Sequence, residues 1–171
     1  EQNEIYRILQ ELTSSVVGVS KAIRYNAELL TDIDTAFSKA WYAFNTRSSM
    51  PLLNDDGVID IKRGRHPLIN PDTVVPVTVG LGKDFNILLV TGPNTGGKTV
   101  TLKLVGLFTL MATSGLYIPA DDESRISVFD DIFCDIGDEQ SIEQSLSTFS
   151  SHMRNVIYFC ENLSKKPLIL L

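Results

Sequence analysis

Cysteine, histidine and tryptophan are scarce in this 171-residue chain, which holds two, two and one of them. Cys134 and Cys160 are far apart, and no Cys-x-x-Cys pair or Cys/His cluster exists, which argues against a metal site of that kind. Both thiols sit among apolar residues, so the sequence predicts two buried, reduced cysteines in a cytoplasmic protein. No apolar run reaches the roughly 18–20 residues that cross a bilayer. Basic charge is also short: the net charge is −6 and the pI about 4.8. A stand-alone nucleic-acid binder usually carries the opposite balance, so weak or no nucleic-acid binding is expected of this chain alone. The first residues, Glu1-Gln2-Asn3-Glu4, lack a starting Met and read as the reverse of a secretory signal, so the expectation is a piece of a longer cytoplasmic protein.

What remains is ordinary globular composition, 43% apolar and 21% charged, enough for one domain with an appendage. Residues 5–44 repeat apolar side chains at helical spacing, from Ile5, Ile8, Leu9 and Leu12 through Val16, Val19 and Ile23 to Phe37, Trp41 and Phe44. One helix of that length would run about 60 Å. That exceeds the side of a small domain, so part of it is expected to project or to pair with another helix, with Gly18 as the point where it could break in two. The turn chemistry around residues 47–57 marks a boundary, giving a helical arm over 1–50 and a second domain over 51–171.

Beyond the boundary the period changes. Residues 58–62 alternate as a half-buried strand. Residues 74–79 look extended, with Pro76 pointing to a sheet edge. Residues 86–91 form a short apolar run, as a central strand buried on both faces would. A helix over 98–114 closed by Gly115, one or two strands over 126–134, a helix over 150–163 and a final strand over 167–171 complete an α/β alternation.

The strongest signal is the run Gly92, Pro93, Asn94, Thr95, Gly96, Gly97, Lys98, Thr99, which matches G-x-x-x-x-G-K-[ST] between an expected strand and an expected helix. Glycines let the backbone curl its N–H groups toward phosphate oxygens, and the following helix turns its positive end to the same anion. Lys98 can reach the β- and γ-phosphates, and the Thr99 hydroxyl can ligate Mg²⁺. This predicts an ATP/ADP–Mg²⁺ site. With about 90 residues ahead of the loop and 72 after Thr99, no room remains for the acceptor domain of a small phosphate-loop kinase. Hydrolysis also needs a carboxylate at the end of a second buried strand. Leu168–Leu171 is the best strand for it, and no acid follows, so the expectation is a chain that stops just short of its metal carboxylate. Asp130 or Asp131, after Ile126-Ser-Val-Phe, is the internal alternative, which would make this a complete nucleotide hydrolase of another kind.

The segment Thr91 to Thr99 closely resembles the phosphate loop of MutS-type ATPases, relatives of the ABC ATPases. The likeness extends to Gly64-Arg-His-Pro67 and to Ser147-Thr-Phe149, which is similar to the family's signature segment. The run from Ile136 to Met153 resembles the second bacterial branch ("MutS-two"), whose members carry a C-terminal Smr nuclease domain. The resemblance implies a phosphate-loop ATPase fold of the ABC, MutS-like type with a long-helix arm. It implies that Asn94 lies near the γ-phosphate, that Val74 and Val75 flank the adenine, and that Ser147 reaches ATP held by the other subunit of a homodimer. It further implies that the family's Asp-Glu pair lies beyond Leu171, so this chain should bind ATP yet hydrolyse it poorly. DNA, branched or mismatched, or a ribosome would be the partner of the longer protein. A catalytically silent module dimerising through residues 1–50 is the alternative of another class.

Several residues invite a plainer reading. Ser147-Thr148 would serve as an ordinary cap for a helix near residue 150. His66, before Pro67, reads as a structural hydrogen-bonding group and His152 as solvent-exposed. Phe159-Cys-Glu161 is expected to match the family's mismatch-reading Phe-x-Glu only by coincidence. Asp121-Asp-Glu123 reads as a solvated loop, and the acids at 130, 131, 135, 138 and 139 as a charged rim.

Overall fold

The computed structural model describes residues 1–92, 97–136 and 145–171, and for 145–149 the backbone alone. Helix α1 runs unbroken over Gln2–Thr46, so the periodicity yields one helix and not two. The hydroxyls of Thr13, Ser14, Ser15, Ser20, Thr31 and Thr35 each donate to a carbonyl three or four residues back. Polar side chains that could compete with the helix are thereby absorbed into it. A methyl added at Gly18 would meet nothing within 4 Å, and the helix passes through without a break.

The chain divides into two compact units, Glu1–Tyr42 and Ala43–Leu171. The first is helix alone, and none of its residues is buried. In the second, the last turn of α1 closes with Arg47 in the left-handed region (φ 50°) and Ser48 N donating to Ala43 O at 2.8 Å. This six-to-one bond satisfies a carbonyl that the helix end would otherwise orphan. Arg65 Nη2 adds a bond to Arg47 O at 2.8 Å.

Two sheets follow. The first holds β1 (Leu52–Asn54), β2 (Ile59–Gly64), β3 (Val77–Leu81) and β4 (Arg125–Ser127) in the order β1-β4-β2-β3. β1 and β4 are parallel, and β2 is antiparallel to both β3 and β4. β3 lies at the edge, as Pro76 suggested, although Val74 and Val75 fall outside it. The β2–β3 register shifts between Ile61 and Gly64, where Arg63 takes a positive φ of 49°, so β2 carries a bulge. The second sheet pairs β5 (Asp131–Cys134) with β6 (Pro167–Leu170) in parallel.

Helix α2 (Lys98–Thr113) is apolar on nearly every side and buries Leu104, Val105, Phe108, Met111 and Ala112. Such a helix belongs between layers. A methyl on Gly64 of β2 would meet Phe108 and Leu104 at 3.0 and 3.2 Å, and one on Gly106 would meet Leu170 of β6 at 2.8 Å. α2 therefore touches both sheets. Helix α3 (Ser145–Glu161) lies along β5, with the Phe159 ring 4.9 Å from that of Phe133. Phe159 is buried, so its role is in the core, in keeping with a coincidental Phe159-Cys-Glu161 match. Mixed α/β layering is thus observed.

Two expectations fail. Residues 86–91 are not a buried central strand: the run forms no strand, and Ile87 and Leu89 are 85% and 82% exposed. A strand exists through its ladder, and among the described residues no neighbour pairs with this run. Cys134 and Cys160 are both exposed free thiols. Cys134 is the exposed last residue of β5 and Cys160 an exposed residue next to buried Phe159 on α3, so apolar sequence neighbours did not bring burial.

Candidate functional site

Gly97 caps α2 with φ 77° and ψ 11°, and Gly92 takes φ 146°. A left-handed backbone costs an ordinary L-residue about 1–2 kcal/mol. A methyl at either position would meet nothing within 4 Å, so the dihedral and not crowding calls for glycine. Gly97 supplies no side-chain cap, so no side chain at that position satisfies the first N–H groups at the positive dipole end of α2. Thr101 N and Oγ1 both donate to Gly97 O at 2.9 Å and anchor that turn.

Lys98 Nζ donates to Gly92 O at 2.6 Å. The ammonium thus reaches back from the helix and brings Gly92 close to Gly97–Thr99. Thr99 stands half-buried beside it in the first turn. Pro93, Asn94, Thr95 and Gly96 lie outside the described residues. An ammonium, a hydroxyl, a helix N-terminus and a glycine backbone are the donor set that suits a polyphosphate with a divalent cation. Among the described residues no group of three or more His, Cys, Asp or Glu could hold a metal.

Val74 and Val75 occupy the coil ahead of β3, on a separate stretch of chain. Asn70 organises that stretch: its carbonyl accepts from Thr73 N and Val74 N at 3.0 and 2.9 Å, and its Oδ1 from Asp72 N at 2.9 Å. Val74 lines a recess of about 50 Å³ with Arg65, His66, Pro67 and Pro119, whereas Val75 is 78% exposed. His66 Nδ1 accepts from Leu68 N at 3.4 Å, a long bond. Burial, with the Lys103 ammonium nearby, lowers the His66 pKa below its ordinary value.

Ser147 and Thr148 fall inside the first turn of α3, which begins at Ser145, so they do not cap a helix near residue 150. Their side chains, like Asp138 and Glu139, lie outside the described residues.

A polar cluster that sequence reasoning missed lies next along α3. Asp135 Oδ2 accepts from His152 Nδ1 at 2.6 Å, and Asp135 Oδ1 from Asn155 Nδ2 at 2.8 Å. The Asp135 side chain is 10% exposed and that of His152 33%, so His152 is held against β5 and is not the solvent-exposed residue expected. Burial works against the Asp135 charge, but the bonds from Asn155 and His152 prevail and hold its pKa below the ordinary value. The readable trace was His-x-x-Asn, two donors on one helix face, with an acid just after a strand.

The remaining acids sort by position. Asp130 and Asp131 stand exposed at the amino-terminal end of the parallel β5–β6 pair. Ligands of such sheets gather at the carboxyl ends of strands, so this geometry does not suit Asp130 or Asp131 as a nucleotide's metal ligand. The acidic loop is more than solvated: Asp121 pairs with Arg63 and Arg65 at 3.3 and 3.6 Å, and Glu123 with Lys62 at 3.0 Å.

Comparison with known proteins supplies the context. Residues 88–171 match the family model of MutS domain V. The chain is 53% identical over all 171 residues to the endonuclease MutS2 of Caldanaerobacter subterraneus. It is 54% identical over 170 residues to that of Clostridioides difficile and 52% over 170 to that of a Geobacillus species. Essentially the whole chain is covered, whereas it spans only 22% of the length of each relative. The segments that carry the resemblance, on both sides of the loop, fall inside these matches. The chain belongs to the MutS family, on the branch of the MutS2 proteins.

Proposed function

We propose that this chain is the ATP-binding part of a MutS-type ATPase. One observation carries the reading: Lys98, at the start of α2, folds its ammonium onto Gly92 O across a loop whose two ends are glycines of positive φ. A bound polyphosphate would offer Lys98 a stronger, charge-assisted partner than a carbonyl. Thr99 would ligate Mg²⁺, the loop residues Pro93, Asn94, Thr95 and Gly96 would wrap the phosphates, and Val74 and Val75 would flank the adenine. In a homodimer, Ser147 of one subunit would complete the ATP site of the other. ATP would then act through its higher affinity for the closed dimer.

The relatives are named endonucleases over chains far longer than this one. In such a longer, cytoplasmic protein the ATP cycle would gate a clamp around DNA or a ribosome. The acidic balance of this chain argues for nucleic-acid contacts elsewhere in that protein.

Calorimetric titration of the chain with Mg-ATP tests the reading. About one equivalent should bind, and Lys98→Ala should abolish binding while leaving the melting temperature of the free protein unchanged. Equal binding by wild type and Lys98→Ala would overturn it.

A further inference from the structure

Helix α3 rests on β5 at two places of different chemistry. One is apolar, Phe159 against Phe133. The other is the Asp135 carboxylate, which accepts from His152 and Asn155. Since Phe133 meets Phe159 while Asp135 meets His152, the helix runs antiparallel to the strand, and its first turn lies beyond the carboxyl end of β5. Apolar packing is non-directional and tolerates small slides and rotations. Two hydrogen bonds to one carboxylate do not, because both helix donors must keep their distance and bearing at once.

The carboxylate is itself fixed. Asp135 N continues the β5–β6 ladder by donating to Leu170 O at 2.8 Å. Leu170 is also the residue that Gly106 of α2 approaches so closely that a methyl there would lie 2.8 Å from Leu170 Cδ1. The helix that starts at Lys98 and the helix that carries Ser147 are thus both referenced to Leu170. Ser147 lies five residues before His152, about 7.5 Å along the axis.

We infer that Asp135 is a positioning residue: through His152 and Asn155 it sets the height and rotation of α3, and so where the first turn with Ser147 stands relative to the ATP of the partner subunit. This rests on the sandwich reading proposed above. Both Asp135 oxygens are taken up by His152 and Asn155, so its role in this reading is exerted through the helix. A truncated carboxylate would leave α3 seated on Phe133 but free to shift.

The test uses the full-length protein and a double-mutant cycle of Asp135→Ala with Ser147→Ala, read by Mg-ATP turnover, ATP-driven subunit association and affinity for a fluorescent ADP analogue. Asp135→Ala should lower kcat about 10- to 100-fold, as misplacement of a reacting group by an ångström does. ADP affinity and KM should stay within about twofold, and the double variant should be no slower than Ser147→Ala alone, since the two residues act as one unit. Asp135→Asn keeps the shape and one acceptor and should fall between, which preserves the test if Asp135→Ala does not fold. Losses that multiply in the double variant, or unchanged turnover in both Asp135 variants when Ser147→Ala is impaired, would overturn the positioning role alone. Full turnover by Ser147→Ala would overturn the sandwich and the positioning role together.

Discussion

At the residue scale, the glycines show how one residue type can be dictated by very different causes. Gly97 is needed for a dihedral, Gly106 for space. The gap between α2 and β6 at Gly106 admits no methyl without displacing the end of Leu170. A larger branched residue would push the helix off the strand and strain two layers at once. Gly106→Val is therefore expected to lower stability by about 1–3 kcal/mol. Urea denaturation would measure it, and an unchanged midpoint would show that the layers part more easily than their packing suggests. The glycine-lysine spacing at 92–99 was legible in the sequence because it is one contiguous string of residue types. The Asp135–His152–Asn155 cluster was not, because its members come from two elements and mean nothing until a helix is laid on a strand.

At the element scale, helix α3 carries a titratable anchor. The folded-state pKa of Asp135 is depressed, so folding favours its ionised form. Its contribution is fully present above the unfolded carboxylate pKa of about 3.9 and is lost as pH falls through the lower folded value. Stability of the wild type should thus fall more steeply below about pH 4 than that of Asp135→Asn, and the two slopes should coincide at neutral pH. Denaturant midpoints across about pH 2.5–7, a range set by that same linkage, would decide it. Helix α1 offers the opposite case. It was readable from period alone, yet none of its residues is buried. Val16→Gln should accordingly shift the stability of this chain by less than about 0.5 kcal/mol. A larger loss on thermal melting would mean that the stripe is already covered by a second copy of the chain.

At the scale of the whole molecule, the sequence by itself determined the order and kind of most elements. The alternation at 58–62, the apolar periodicity of α2 and the run at 167–171 each fix a local backbone choice, because the burial pattern repeats at the period of the element. It also determined the family, since the segments that carry the likeness, Thr91–Thr99, Gly64–Pro67 and Ser147–Phe149, are contiguous strings. Tertiary structure decided what depends on pairing and packing. Residues 86–91 had the composition of a central strand, but a strand needs a neighbour to bond to, and composition supplies none. The apolar neighbours of Cys134 and Cys160 could not reveal which way the thiols face, because exposure is set by the element's orientation on its layer. The same holds for His152, whose partner is a carboxylate seventeen positions away in sequence, brought within 2.6 Å only when α3 settles along β5.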